Sequence, residues 1–191
     1  MPEIEFDPVD AIAAGAVGSP GRRAFYIQAT KGGQVLSVLV EKEQVAVLAD
    51  RIQVLLDQVA AQFPGEVSRH PAGADRAAEL IGDPVPLFRA VAIGIGFDPA
   101  RRLVVLELHE RPLRDEDDAD EDDEPAPELP GEEEPEGYLA RLYATPEQIR
   151  AMATGGQAAV AAGRPPCPLC GNPLDPEGHI CPKLNGHARR Q

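Results

Sequence analysis

Apolar residues in the first third of the chain follow two successive patterns. Residues 24–30 and 34–40 are rich in β-branched and aromatic side chains, and Lys31-Gly-Gly33 joins them, which predicts a β-hairpin. From Lys42 the apolar residues recur at steps of three and four until Pro64-Gly65. That spacing predicts a helix with one apolar stripe, which packs on the sheet and ends at the Pro-Gly pair.

The second half of the chain repeats the sequence of strands followed by a helix. Residues 64–86 are expected to be a connection with at most a short helix around 74–81. Two further β-rich runs, 87–97 and 102–110, flank the turn Asp98-Pro-Ala-Arg101 and predict a second hairpin.

One more strand and one more helix are predicted before the C-terminal segment. Residues 137–144 alternate well enough to form a strand. Thr145 is then a typical N-cap, followed by Pro146 and two residues suited to a first helical turn, so a helix is predicted to run into Ala162. The resulting class is α+β, with antiparallel strands and two main helices.

Two short matches connect the halves. Ile4-Glu-Phe-Asp-Pro8 resembles Ile95-Gly-Phe-Asp-Pro99, and Glu43-Gln-Val45 resembles Glu147-Gln-Ile149. One interpretation is a duplicated strand-strand-helix unit with pseudo-twofold symmetry. The other is chance, because turn and helix-start chemistry recurs in unrelated segments.

Charge is concentrated in one insert. The net charge is −14, but residues 115–136 contain 14 acidic residues and no basic ones, so the remainder carries 18 of each sign. Repulsion between the acidic side chains and the prolines among them both oppose compaction, which predicts a disordered insert over 113–136. A solvated spacer is one interpretation of the insert, and an intramolecular mimic of nucleic acid that shields a basic face is the other.

All three cysteines lie near the C-terminus. Cys167 and Cys170 are followed by Gly171 in the form of a zinc knuckle. His179 and Cys181 come nine and eleven residues after Cys170, beyond a stretch rich in turn formers. Three thiolates and one imidazole predict a tetrahedral Zn²⁺ site. With four protein ligands the site would be closed and structural, within a tail of residues 164–191 that follows a body of residues 1–163.

Other interpretations of these residues stay open. His187 could replace His179 as the fourth ligand, and the Cys-x-x-Cys pair could be a redox motif. A three-cysteine site with an open position would be catalytic.

Other motifs are weaker. Gly94-Ile-Gly96 is a fragment of a dinucleotide fingerprint but is better explained as a strand with small residues. Glu107 and His109 are expected on a solvated strand face. Three arginine pairs could contact phosphates if the fold gathers them; these are Arg22-Arg23, Arg101-Arg102 and Arg189-Arg190.

The residues also carry a resemblance to a known family. The similar segments are Ile4–Asp10, Gly21–Gln28, Leu39–Val45, Ala162–Gly171, Asp175–Pro182 and Asn185-Gly186. They resemble uncharacterised actinobacterial proteins that share a domain of unknown function. The resemblance implies an intracellular protein of about this length with a variable acidic insert and a cysteine-rich tail, and it implies no activity.

Two classes of function remain at this point. The first is a non-enzymatic binding module, with a protein partner favoured over nucleic acid because the body has no basic stripe. The second is an enzyme with a pocket between the two halves; a nucleic-acid-binding zinc protein is a further alternative. No run of about 18 apolar residues is present and the N-terminus is acidic, so a cytoplasmic protein without a membrane partner is expected.

Overall fold

The computed structural model describes residues 2–63, 78–110, 137–164, 167–172, 174 and 179–184. The acidic insert, residues 64–77 of the predicted connection, His187 and Arg189-Arg190 lie outside these residues. In the described part the elements are β1 (Glu3–Phe6), β2 (Ala11–Val17), β3 (Ala24–Lys31), β4 (Gln34–Val40), α1 (Lys42–Gln62), β5 (Phe88–Arg89), β6 (Ala92–Asp98), β7 (Leu103–His109), β8 (Leu139–Ala144), α2 (Pro146–Ala161) and a 3₁₀ turn (Pro182–Leu184).

The strands form two four-stranded sheets. One sheet has the order β1-β8-β7-β6 and the other has the order β2-β3-β4-β5. The α+β class and both predicted hairpins are confirmed, since β3 pairs with β4 and β6 pairs with β7 in antiparallel fashion. Two pairs, β1 with β8 and β4 with β5, are parallel, so the prediction of antiparallel strands alone is incomplete.

The two halves of the chain exchange their first strands. Each half consists of four strands and a helix, and in each half the last three strands form an antiparallel meander. The first strand of each half leaves that meander and pairs in parallel with the last strand of the other half. The sheets therefore cannot be separated into two independent domains by cutting the chain once.

The chain changes sheets at equivalent places in both halves. The N–H of Ala90 donates to Leu39 and that of Val91 to His109, at 2.9 and 2.8 Å. In the first half, Val9 and Asp10 make the corresponding bonds to Tyr143 and Thr30, at 2.8 and 2.7 Å. This switch explains why the predicted strand over 87–97 is two strands: the residues on either side of it hydrogen-bond to different sheets.

Each switch is held by a glutamine in the first turn of a helix. Gln44 donates to the carbonyl oxygens of Ala90 and Val91, both at 3.2 Å. Gln148 donates to those of Val9 and Asp10, at 3.4 and 3.1 Å. Each glutamine also accepts from the N–H of its own helix cap, Glu41 or Thr145.

The two sequence matches therefore have different outcomes. Glu43-Gln-Val45 and Glu147-Gln-Ile149 occupy equivalent places, with their glutamines in the same role. The other match does not align, because residues 4–6 lie in β1, whose counterpart is β5, whereas Ile95 lies in β6. Common origin of the halves by duplication stays a prediction.

Replacing either glutamine with alanine is expected to lower the free energy of unfolding by about 1–2 kcal/mol, because a cap bond and the bonds to the sheet switch are lost together. Urea denaturation of Gln44→Ala and Gln148→Ala measures this loss. Gln53→Ala is the control, since Gln53 is exposed on the same helix as Gln44 and its side chain donates to Asp57 one turn further on. Equal stability of all three variants would show that the switches do not need these side chains.

One apolar core joins the sheets and helices. Both α1 and α2 contact strands of both sheets and each other, and the core cluster draws on residues from both halves. The predicted apolar stripe of α1 is confirmed, since Val45, Leu48, Ile52, Leu56 and Val59 are buried. Residues 78–81, the described end of the short helix expected around 74–81, are not helical.

The strands β1 and β2 were not predicted. β1 has only four residues, two of them glutamates, and β2 has the sequence AIAAGAV, which lacks the usual β-branched and aromatic content. Small residues in β2 are explained by its close approach to α2: a Cβ added at Gly156 would lie 3.3 Å from the Cβ of Ala14. Packing against the helix thus overrides the low strand propensity of alanine.

Candidate metal centre

The structure brings four side chains together in the C-terminal segment. The ligand atoms of Cys167, Cys170, His179 and Cys181 all lie within 4.8 Å of one another. The imidazole presents Nε2 to the cluster, 3.1 Å from the Sγ of Cys170. These are the four residues singled out in the sequence, and the alternative ligand His187 lies outside the described residues.

A tight turn aims the first two sulfurs at one point. The N–H of Gly171 donates to the carbonyl of Cys167 at 2.8 Å, and the N–H of Cys167 donates to the carbonyl of Asn172 at 2.7 Å. Gly171 has φ +78°, a left-handed conformation that glycine adopts without the cost of a Cβ. The N–H of Leu169 donates to the Sγ of Cys167 at 3.4 Å.

The two thiols of this turn have different acidities. Hydrogen bonding from the backbone of Cys170, and then of Leu169, lowers the pKa of Cys167 although desolvation opposes it. Partial burial raises the pKa of Cys170. Backbone donors therefore favour the thiolate at Cys167, the form in which cysteine binds a metal.

The donor set and its geometry suit a metal ion with four ligands. In a tetrahedral site with metal–sulfur bonds of about 2.3 Å, ligand atoms are roughly 3.5–4 Å apart, and the observed cluster needs only small shifts to reach this spacing. Cys167 and Cys181 are buried, and Cys170 and His179 are half-buried. The cluster can therefore hold a metal ion with four protein ligands.

The weaker sequence candidates are placed elsewhere. Gly94 and Gly96 lie within β6, as a strand with small residues predicts. Glu107 accepts a hydrogen bond from Arg141 at 2.8 Å. The solvated face expected for His109 is wrong, since His109 is only 8% exposed. Its cross-strand neighbours on the same face of the sheet are Ala92 and the buried Leu139, so this end of the face is apolar.

The described arginine pairs are not gathered together. Arg101 forms an ion pair with Asp7 and lies over the ring of Tyr143, 4.7 Å from its centroid. Arg23 instead donates to the carbonyl of Ala159 at 3.2 Å, at the other end of the fold. A common phosphate site for these pairs is therefore wrong for the part of the chain that the structure describes.

Fold and site define the chain as an α+β protein with two strand-exchanged sheets and a C-terminal Cys₃His cluster able to hold a metal ion. The sequence profile of the family described as "Protein of unknown function (DUF3090)" matches residues 4–181, and the chain belongs to this family. The searches of curated proteins and of solved structures gave no significant match. Among the residues that the structure describes, no helix has both the length and the apolar character needed to cross a bilayer.

Proposed function

We propose that the Cys₃His cluster binds one Zn²⁺ as a closed structural site in a non-enzymatic binding module. The observation that carries this proposal is the convergence of the ligand atoms of Cys167, Cys170, His179 and Cys181 within 4.8 Å. Thiolate and imidazole ligands in a tetrahedral arrangement favour zinc over magnesium or calcium, which prefer oxygen. With four protein ligands no position remains for the water that a catalytic zinc normally keeps.

Exposed apolar side chains beside the cluster support a binding role. Leu169 lies inside the first turn and Ile180 between the last two ligands, and they are 39% and 70% exposed. Zinc would fix both side chains at the surface of a segment too short to form a core of its own. A protein partner fits this surface better than nucleic acid, because acidic and basic residues balance outside residues 115–136 and leave no basic stripe to bind phosphates.

Metal content by elemental analysis tests the zinc proposal. The purified chain is expected to contain one zinc ion, His179→Ala is expected to lower this content, and His187→Ala is expected to retain it. Loss of zinc in His187→Ala alone would identify His187, and not His179, as the fourth ligand. An absence of metal, with the thiols cycling to a disulfide, would contradict the proposal and favour the redox interpretation.

Substitution with Co²⁺ separates a closed site from a catalytic one. A closed S₃N site is expected to give the absorption spectrum of tetrahedral cobalt, unchanged by added azide or cyanide. A spectrum that shifts with either anion would reveal an open position and favour an enzyme.

A further inference from the structure

A cavity of about 370 Å³ lies where the two halves of the chain meet. Its wall is formed by the start of β3, the end of β4, the beginning of α1, β5 and the residues that follow α2. Four cationic side chains, Arg23, Lys42, Arg89 and Arg164, line it together with one carboxylate, Glu41. These charged residues are spread over more than one hundred positions of the sequence, and the fold brings them together around one cavity.

The lining carries more positive than negative charge. Its carboxylate, Glu41, is engaged in an ion pair with Arg89. The Nε of Arg23 is buried and has no hydrogen-bond partner in the described part of the chain, although its other end donates to Ala159. Buried donors are nearly always paired, so the guanidinium of Arg23 has hydrogen-bonding capacity that the described part of the chain does not use.

Two glycines keep the backbone close to the cationic ends. A Cβ added at Gly21, which has φ +93°, would lie 3.3 Å from the Nε of Arg164. A Cβ added at Gly163 would lie 3.5 Å from the Nζ of Lys42. Larger side chains at either position would crowd the ends of the groups that could contact an anion.

We propose that this cavity binds a phosphorylated small molecule. Guanidinium and ammonium groups from several elements match the charge and the multiple acceptors of a phosphate. The volume lies within the range of about 300–1,000 Å³ that is usual for small-molecule pockets, so there is room for the rest of the ligand beside Phe25, Leu39 and Val40. The inference is of binding alone. It is independent of the proposed zinc site.

Isothermal titration of the full-length, metal-loaded protein with ribose 5-phosphate, AMP and inorganic phosphate tests the proposal. At least one of these compounds is expected to bind, and ribose without phosphate is not. Lys42→Gln is expected to weaken binding about tenfold, the effect of losing one charged hydrogen bond. Lys42 is exposed at the first position of α1, so Lys42→Gln is expected to keep the fold of the unaltered protein. Arg23→Gln is a second test, at the arginine of the lining whose Nε is buried.

Arg22→Gln is the matched control, because Arg22 adjoins Arg23 in sequence but does not line the cavity. The control is expected to bind as tightly as the unaltered protein, and all variants are expected to retain their metal. Dissociation constants weaker than about 1 mM for all three phosphates, or equal losses in Lys42→Gln and Arg22→Gln, would overturn the proposal. Tighter, Lys42-dependent binding of a synthetic peptide of residues 115–124 would also overturn it and assign the cavity to the acidic segment.

Discussion

Replacing Cys167 with serine is expected to abolish tight metal binding and to unfold the C-terminal segment while the body keeps its fold. A hydroxyl cannot replace the thiolate, and structural zinc contributes roughly 10–16 kcal/mol to the folding of zinc-finger peptides at neutral pH. Apart from Cys167 and Cys181, no side chain described in residues 164–184 is buried. Neither cysteine belongs to the core cluster of the body, which extends only to Val160. We therefore expect the segment to depend on a bound metal ion for its fold.

Three measurements on Cys167→Ser check this expectation together. Elemental analysis reports the metal, circular dichroism during heating reports the body, and limited proteolysis followed by mass spectrometry locates new cleavage within residues 164–191. Leu169→Ser is the matched control, since Leu169 lies between two ligands but contributes no ligand atom. If the body of Cys167→Ser also melted at a much lower temperature, the division into residues 1–163 and 164–191 would be wrong.

Elements with a local signal were predicted well. The helix start at Thr145 is confirmed, because its side chain accepts from Gln148 and Pro146 occupies the first turn. The turn at Gly32-Gly33 is also confirmed, with both glycines at positive φ. In each case the residues that determine the conformation lie within a few positions of one another, so the chemistry is visible in the sequence.

The pairing of strands from different halves of the chain has no comparable local signal in the sequence. β1 pairs with β8, so that Glu5 lies beside Arg141, and nothing in a four-residue segment specifies a partner so distant in sequence. The same holds for β5, whose two residues pair with Val38 and Leu39. Register over such distances is determined by the common core and not by local propensity.

The candidate metal centre is formed by residues close in sequence, whereas the cavity is formed by residues far apart in sequence. The four candidate ligands lie within fifteen residues, Cys167 to Cys181, at a spacing that can be recognised in the sequence. The cations of the cavity come from the residue before β3, from α1 and β5, and from the residues that follow α2. Of these cations only Arg23 was a candidate phosphate contact in the sequence, as part of an arginine pair. That Lys42 and Arg164 line the same cavity is seen only in the fold.

Gly156→Val is expected to destabilise the body by about 3 kcal/mol while the metal centre remains intact. A Cβ at this position would lie 2.8 Å from Cγ1 of Val45 and 3.3 Å from the Cβ of Ala14, and valine adds two more carbons. Overpacking of this kind typically costs about 1–3 kcal/mol, occasionally more. The stiff side chain of Val45 and the backbone of β2 leave little room for relaxation. Helix propensity, which favours valine over glycine by only about 0.4 kcal/mol, does not offset this cost.

Urea denaturation of Gly156→Val measures the loss, with Ala158→Val as the matched control. Ala158 is exposed on the same helix, so valine there is expected to cost less than about 1 kcal/mol. Equal stability of the two variants would show that α2 does not pack on β2 as closely as the structure indicates. Full metal content in Gly156→Val, together with a stable body in Cys167→Ser, would show that the body and the C-terminal segment fold through separate interactions. Metal loss in Gly156→Val would instead mean that the segment needs the body to assemble its ligands.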